Sequence, residues 1–231
     1  MRRRSKFLAI SLLLAAIGIA AGVIGALLKQ VPAFYKDEAA ATSYLAQAER
    51  SSELMTRIQD LQNDIRTKPE WSAVFAAGDL NCFFQEMMSD PASGLTSFLP
   101  ESCHSPRLAI EGDRIKLGLT YGHGTWSTVV WVELRCWLPK HDVNVMAVEI
   151  VGLNAGSLPI SGQSFLESIA DAAHESNVDV TWYRNDGNPV GLFRFYANQL
   201  RPATQIHTLK VAEGKVTLGG RTRLDSSTVR E

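Results

Sequence analysis

The segment Gly122–Ser127 contains the residues whose types come closest to catalytic chemistry. It places His123 and Ser127 among glycines, next to Trp126. A serine hydroxyl becomes a nucleophile when a histidine accepts its proton, and that histidine must be oriented by an acid. Two interpretations follow. In one, His123, Ser127 and a distant carboxylate form a hydrolase site. In the other, which we favour, the segment is a connection between two strands, in which glycines supply positive φ angles and hydroxyls bond locally.

Recognised catalytic and metal-binding motifs are absent from the sequence. It has no Gly-x-Ser-x-Gly, no Gly-x-x-x-x-Gly-Lys, no His-Glu-x-x-His and no Cys-x-x-Cys. The nearest pair of metal-ligating types is Cys103-His104, which we place in a loop beside Pro106. Zinc sites need three or four ligands, and no partners for this pair can be identified. We therefore expect no catalytic residue, no metal and no cofactor.

The three cysteines do not form a disulfide framework. Cys82 lies near the apolar side of a predicted helix, and Cys136 lies on the aliphatic face of a predicted strand. Both are typical of small buried hydrophobic residues. In an oxidising compartment a Cys82–Cys103 bridge is possible, which would leave the third cysteine free.

The N-terminus carries the strongest signal in the chain. A basic segment, residues 1–6, precedes 22 uncharged and almost entirely apolar residues, Phe7–Leu28. A helix of this length is about 33 Å long, which is enough for a bilayer core of about 30 Å. We predict an uncleaved transmembrane helix. A cleaved signal peptide remains the main alternative, because the Ala- and Gly-rich second half of the run could hide a cleavage site.

Charge predicts the orientation of this helix and excludes one class of partner. Residues 1–29 hold five of the 23 basic residues and no acid, so the remainder has 18 basic against 24 acidic residues, a balance of −6. The positive-inside rule then places residues 1–6 in the cytoplasm and residues 30–231 outside. An acidic external domain is a poor nucleic-acid binder.

Gly18, Gly22 and Ala26 share one face of the apolar helix. Small residues at this spacing let two helices pack closely, which predicts a homodimer in the membrane.

Helical spacing continues outside the membrane. Residues 29–69 are predicted to form a helical juxtamembrane stalk. Its apolar stripe comprises Leu45, Ala48, Met55, Ile58, Leu61 and Ile65. A second helix is predicted over Asp79–Met88, with Gly78-Asp79 as its turn and N-cap. A third is predicted over residues 163–174.

The period then changes from 3.6 to 2, which predicts about eight strands. They cover residues 107–110, 114–121, 127–138, 143–153, 178–184, 189–197, 206–211 and 215–218. Tight turns link most of them, so we expect antiparallel pairing. The predicted fold is α+β: a transmembrane helix, then a curved antiparallel sheet with two or three packed helices. The external domain spans residues 70–220, and residues 221–231 form a flexible tail.

Two features of this domain suggest specific packing. The helix over Asp79–Met88 has more apolar surface than one buried side needs, which suggests a groove for an acyl chain or similar amphipathic ligand. The candidate groove residues are Leu80, Phe83, Phe84, Met87 and Met88. Packing in the ordinary core is the competing explanation. Trp182 is predicted to be largely buried in its strand, so that Trp182→Ala would cost about 3–5 kcal/mol.

Short motifs resemble two groups of uncharacterised bacterial membrane-anchored proteins. Asp79-Leu80-Asn81, and the turn 155–161 that leads into a helix, resemble the YpmS-like family, although Ala76-Ala77 stands where that family has a Phe-Thr pair. Residues 105–110 and 182–190 resemble planctomycete-type proteins. These resemblances imply a curved sheet wrapped on a helix, similar in shape to tubular lipid-binding modules, and they bring no catalytic residues. The favoured function is therefore a non-catalytic envelope protein that binds an amphipathic ligand or a protein partner.

Overall fold

The computed structural model of the chain describes residues 17–37, 44–89, 102–195 and 202–224. Its helices are α1 (residues 17–28), α2 (Ala33–Asp37), α3 (Tyr44–Thr67), α4 (Ala77–Ser89) and α5 (Gln163–Glu175). Its strands are β1 (Glu70–Ala76), β2 (Cys103–Glu111), β3 (Arg114–Tyr121), β4 (Thr128–Trp137), β5 (Val145–Ala155), β6 (Leu158–Pro159), β7 (Asp179–Asn185), β8 (Asn188–Arg194), β9 (Thr204–Ala212) and β10 (Lys215–Thr222).

The α+β class and the antiparallel pairing are confirmed, but the strands form two sheets. One sheet has the order β1-β10-β9, and the other has the order β2-β3-β4-β5-β8-β7, with β6 added beside β5. The first sheet exists because β1 pairs with β10, which lies about 145 positions later in the chain. Sequence analysis assigned no strand to β1, although the alternate burial of Trp71 and Ala73 follows the two-residue period of a strand.

The tight turns were predicted correctly. Asp186 and Gly187 join β7 to β8, and Glu213 and Gly214 join β9 to β10. All four residues have positive φ angles, between 50° and 88°. This backbone geometry matches the twist of a hairpin, and it explains why Asp-Gly and Glu-Gly pairs mark these positions.

Two strands extend beyond their predicted bounds. Cys103 and His104 lie in β2, paired with Tyr121 and Thr120, and not in a loop. A bulge after His104 separates them from the predicted strand, and this irregularity hid the continuation. At the other end, β10 continues to Thr222, so the segment assigned to a tail from residue 221 begins inside a strand. The rest of that tail, residues 225–231, lies outside the described residues.

Helix α3 packs on the domain with a buried side that follows part of the predicted stripe. Leu54 is fully buried and Ser51 is 2% exposed, and the predicted Ile58, Leu61 and Ile65 are half-buried on the same side. Met55, at 41% exposed, departs from the prediction, because the buried side passes through the polar Ser51 and through Leu54. Arg57 of α3 forms an ion pair of 3.1 Å with Asp79 of α4. Much of the segment assigned to a stalk therefore contacts the sheet domain.

The start of α4 also differs from the prediction. The helix begins at Ala77, whose backbone N–H donates to the carbonyl of Gly214 at 2.9 Å. Gly78 and Asp79 consequently lie in its first turn instead of preceding it. Asp79 is still well placed there, because a negative charge near a helix N-terminus is stabilised by the helix dipole.

Candidate functional site

The C-terminal end of α1 is joined to the seven-stranded sheet by backbone contacts. The N–H of Ser157 donates to the carbonyl of Leu27 at 2.9 Å, and the hydroxyl of Thr128 donates to the carbonyl of Leu28. Gly156 completes the joint with a φ of +59°, and a Cβ placed there would lie 2.3 Å from the Leu27 oxygen. Only glycine fits this position, because both its conformation and the approach of α1 exclude a side chain.

Helix α2 continues the attachment. Phe34 and Tyr35 are 6% and 7% exposed and pack against Ala109 and Val129 on the sheet. The Tyr35 hydroxyl donates to the carbonyl of Ser105 at 2.6 Å. Two aromatic side chains in a segment of mostly polar neighbours were the available signal for this docking, and sequence analysis missed it. The chain from residue 27 to residue 35 is therefore fixed to the sheet.

The predicted membrane span is only partly covered by the structure. Residues 7–16 of Phe7–Leu28 lie outside the described residues, and residues 17–28 are helical. Apolar side chains of this helix are solvent-exposed, with Ile19 at 69% and Val23 at 53%. Among the residues that the structure describes, no helix is both long enough and apolar enough to cross a membrane.

The residues of the possible hydrolase site make only local contacts. The Ser127 hydroxyl donates to the carbonyl of Gly124 at 2.9 Å. The His123 ring stacks on His104, with ring centroids 5.8 Å apart. Neither contact is the serine-to-histidine hydrogen bond that an activated nucleophile requires. These contacts fit the interpretation of the segment as a structured connection between β3 and β4.

The cysteines are free thiols in buried or half-buried positions. Cys82 and Cys103 are both free, so the structure does not contain the bridge that the sequence allowed. Burial raises the pKa of both thiols, and it raises the pKa of Cys136 to about 11. A thiol with a raised pKa is a poor nucleophile at neutral pH because the thiolate is the reactive form.

The five candidate groove residues divide between core and surface. Leu80 and Phe84 pack on a buried cluster of Ala77, Leu108 and Ile110. Phe83, Met87 and Met88 are half-buried. Three clefts in the described chain lie between α3 and β1, between α5 and β7, and beside β9 and β10, and none of the three is lined by any of these residues. For Leu80 and Phe84 the competing explanation, core packing, therefore agrees with the structure.

A cleft of about 310 Å³ lies between α5 and the strands β7 and β8. Its lining is mainly apolar, with polar side chains as well: Gln163, Leu166, Glu167, Ala170, Trp182, Tyr183, Arg184 and Pro189. No described residue of α5 is buried, although this helix carries a clear apolar side. The helix therefore covers the sheet without closing on it, and the cleft is the space left between them.

Trp182 forms one wall of this cleft. The residue is half-buried, which agrees in part with the predicted burial of its ring. The ring lies over Gly191 of the neighbouring strand and meets Phe193 edge-to-face at 6.3 Å between centroids. Its other side is left to the cleft because α5 does not pack tightly there. The indole N–H is buried and has no acceptor among the described residues.

The structure offers no arrangement of metal ligands within the ranges it describes. No three side chains of His, Cys, Asp or Glu gather there as a metal ion requires. No protein-family model matches the chain, and no curated protein or solved structure is significantly similar to it. The resemblance to YpmS-like and planctomycete-type proteins therefore stays a prediction.

Proposed function

We propose that this chain is a single-pass protein of a bacterial cytoplasmic membrane, with its N-terminus inside and a non-catalytic domain in the periplasm or extracytoplasmic space. One observation carries the proposal. The second half of the apolar run Phe7–Leu28 is a helix whose apolar side chains are exposed, and its end is hydrogen-bonded to the domain. A helix that is apolar all round needs an apolar environment, and a bilayer provides one.

The orientation can be tested in spheroplasts. We expect protease added outside intact spheroplasts to digest the domain of the full-length chain carrying a C-terminal epitope tag. We expect alkaline carbonate to leave the undigested chain in the membrane fraction. Replacing Arg2, Arg3 and Arg4 by glutamate should weaken this orientation, because basic residues hold the N-terminus inside. The measurement is loss of the epitope tag with and without permeabilisation.

Protection of the tag in intact spheroplasts would overturn the proposed topology. The cleaved-signal alternative gives a different result in the same preparation. An uncleaved chain keeps its full mass of 25.4 kDa plus that of the tag, whereas cleavage within the apolar run lowers the mass and releases the domain from the membrane. Intact-mass spectrometry of both the membrane and the soluble fraction therefore separates the two.

The cleft under α5 is the site that best supports binding of an amphipathic ligand by the external domain. Leu166, Ala170 and Trp182 supply an apolar wall, and Arg184 and Glu167 add a cation and a carboxylate beside it. An acyl chain with a polar head group matches this combination, since the chain can contact the apolar wall while the head group contacts the charged side chains. This location replaces the predicted groove on α4, where Leu80 and Phe84 are used in the core.

Filling the cleft should weaken ligand binding. We expect Ala170→Trp to lower labelling of the β7–β8 region by a photoactivatable fatty acid about tenfold, which corresponds to about 1.4 kcal/mol of binding free energy. Ala172→Trp is the matched control, because Ala172 is on the exposed side of the same helix. Labelling is mapped by peptide mass spectrometry of the full chain in membranes, and the peptide from α1 serves as the internal reference for contact with lipid.

Equal labelling in both variants, or labelling confined to α1, would contradict the ligand proposal without affecting the topology. The hydrolase alternative receives no such support, because Ser127 and His123 make the local contacts described above.

A homodimer through Gly18, Gly22 and Ala26 remains a separate proposal. Apart from the adjacent residues and the backbone of the helix itself, nothing in the described chain lies within 4 Å of a Cβ built at Gly18 or Gly22, so this face of the helix has room for a partner.

A further inference from the structure

We propose that the end of the domain around the exit of α1 lies in the lipid interface, with Trp126 inserted among the head groups of the same membrane that holds α1. This inference rests on the proposed membrane anchor. It adds a second, independent contact with the bilayer, made by the β3–β4 loop of the folded domain.

Hydrogen bonds place the β3–β4 loop next to the end of α1. Thr128, the first residue of β4, bonds through its hydroxyl to the carbonyl of Leu28. Trp126 lies two residues before Thr128, so their Cα atoms are at most about 7 Å apart. Leu28 is the last residue of the predicted span. Trp126 is therefore held at the level where the chain leaves the hydrocarbon core.

Trp126 is the most exposed of the large apolar side chains in the described chain, at 91%. Its exposure belongs to an ordered turn, since its backbone N–H donates to the carbonyl of His123 at 3.1 Å and the hydroxyl of Ser127 donates to the carbonyl of Gly124. Exposure of a whole indole to water is unfavourable because of its apolar area. Tryptophan is enriched at membrane interfaces, where its ring meets lipid and its N–H meets water or head groups.

The surroundings of Trp126 lack charged side chains over two long stretches. Residues 117–132 contain no Asp, Glu, Lys or Arg, and residues 150–166 contain none either. Both stretches reach the end of α1, through Thr128 in the first and through Gly156 and Ser157 in the second. The second stretch adds Ile160, which is 40% exposed. An uncharged surface with protruding apolar side chains can enter the interface without desolvating an ion.

The opposite end of β4 has charged side chains next to its tryptophan. Trp137 closes the strand about 30 Å from Thr128, at about 3.3 Å per residue. Its ring contacts the guanidinium of Arg135 at 5.3 Å, in a region with charged neighbours. A domain fixed to α1 by residues 27–35 holds Trp126 toward the membrane and Trp137 away from it. Trp126, just before β4, and Trp137, at its other end, therefore serve as test and control positions.

Quenching of tryptophan fluorescence by brominated lipid tests the inference. The full chain is reconstituted into phosphatidylcholine–phosphatidylglycerol vesicles with bromine at shallow or at deep acyl positions. We expect shallow bromine to quench the wild-type protein. We expect W126F to lose at least half of that quenching and W137F to keep nearly all of it. Circular dichroism of each variant verifies that the domain is folded.

The outcomes separate this inference from the anchor itself. If the wild-type chain fails to float with vesicles in a density gradient, the proposed membrane anchor is wrong and this inference is wrong with it. If the chain floats but shallow quenching is the same in wild type and W126F, the anchor stands and the interfacial contact of Trp126 is refuted. Loss of quenching in W137F as large as in W126F would also refute it.

Discussion

Replacing Asn144 with alanine should lower the free energy of unfolding by about 3–5 kcal/mol, because one side chain joins the two sheets. The Asn144 amide donates to the carbonyl of Thr204 at 2.8 Å, and its oxygen accepts the N–H of Ile206 at 2.8 Å. Both partners belong to β9, whereas Asn144 immediately precedes β5. Asn144 is 2% exposed, so water cannot replace these bonds without rearrangement.

The backbone of Asn144 adds to this effect. Its φ angle is 56°, in the left-handed region that asparagine tolerates better than alanine does. Asn144→Gly removes the side-chain bonds but keeps the backbone unstrained, so we expect it to lose about 1 kcal/mol less than Asn144→Ala. Val143→Ala is the neighbouring control, since Val143 is 48% exposed and should change stability by about 0.5 kcal/mol or less. Urea unfolding followed by circular dichroism measures all three; similar midpoints for Asn144→Ala and Val143→Ala would contradict the proposed role.

The parts of the fold that could be predicted from the sequence are those specified within a few residues. The Asp186-Gly187 and Glu213-Gly214 turns were predicted because positive φ favours these residue types. The helix α5 was predicted within one residue at its end, from apolar spacing alone. The same periodicity placed Ile58, Leu61 and Ile65 correctly in α3 but misplaced Met55, because Ser51 is polar and yet buried. Local chemistry therefore predicted elements and turns better than it predicted which side of an element faces the core.

Contacts between distant segments could not be predicted from local patterns. The pairing of β1 with β10 closes one sheet from the two ends of the domain, and nothing in Glu70–Ala76 indicates its partner. The joint at Gly156 depends on the approach of Leu27, about 130 positions earlier. The candidate cleft also depends on a contact between segments, the docking of α5 on β7 and β8. Trp182 was recognised as a packing residue, but its position under α5 follows from how tightly that helix docks.

In each sheet, a buried asparagine hydrogen-bonds the backbone of an edge strand. Strand β2 is an edge of the larger sheet and β9 is an edge of the smaller one, so each has backbone groups without a neighbouring strand. An unpaired edge is a site of aggregation unless it is covered. In each case a buried asparagine supplies one donor and one acceptor to the strand, Asn144 to β9 and Asn81 to β2. An asparagine amide matches one exposed N–H and one exposed C=O of a strand.

The motif Asp79-Leu80-Asn81, which carries the resemblance to YpmS-like proteins, has a structural role for each residue. Asp79 forms the ion pair with Arg57 of α3. Leu80 packs on the core cluster below the helix. Asn81 donates to the carbonyl of Leu108 at 2.7 Å and accepts its N–H at 2.6 Å. The motif fixes α4 between α3 and β2, so a loss of stability is the expected consequence of changing it.

Asn81→Ala should therefore destabilise the domain by about 2–5 kcal/mol, because both backbone groups of Leu108 stay buried without their partner. The higher helix propensity of alanine offsets about 0.5 kcal/mol of this loss. Glu86→Ala is the control on the same helix, since Glu86 is exposed and should have a small effect. Calorimetric unfolding measures both.

Asn81→Asp isolates the hydrogen-bond donor. An ionised carboxylate can still accept the N–H of Leu108, but it cannot donate to the Leu108 carbonyl 2.7 Å away and it introduces a buried charge. The protonated acid restores a donor and removes the charge. Folding should therefore favour the protonated form. The free energy of unfolding of Asn81→Asp should lie below that of wild type at pH 7, and this deficit should shrink as the pH is lowered to about 4. A deficit that is independent of pH would contradict the stabilising role of the donor to the Leu108 carbonyl and leave the accepted N–H of Leu108 as the bond that Asn81 supplies to β2.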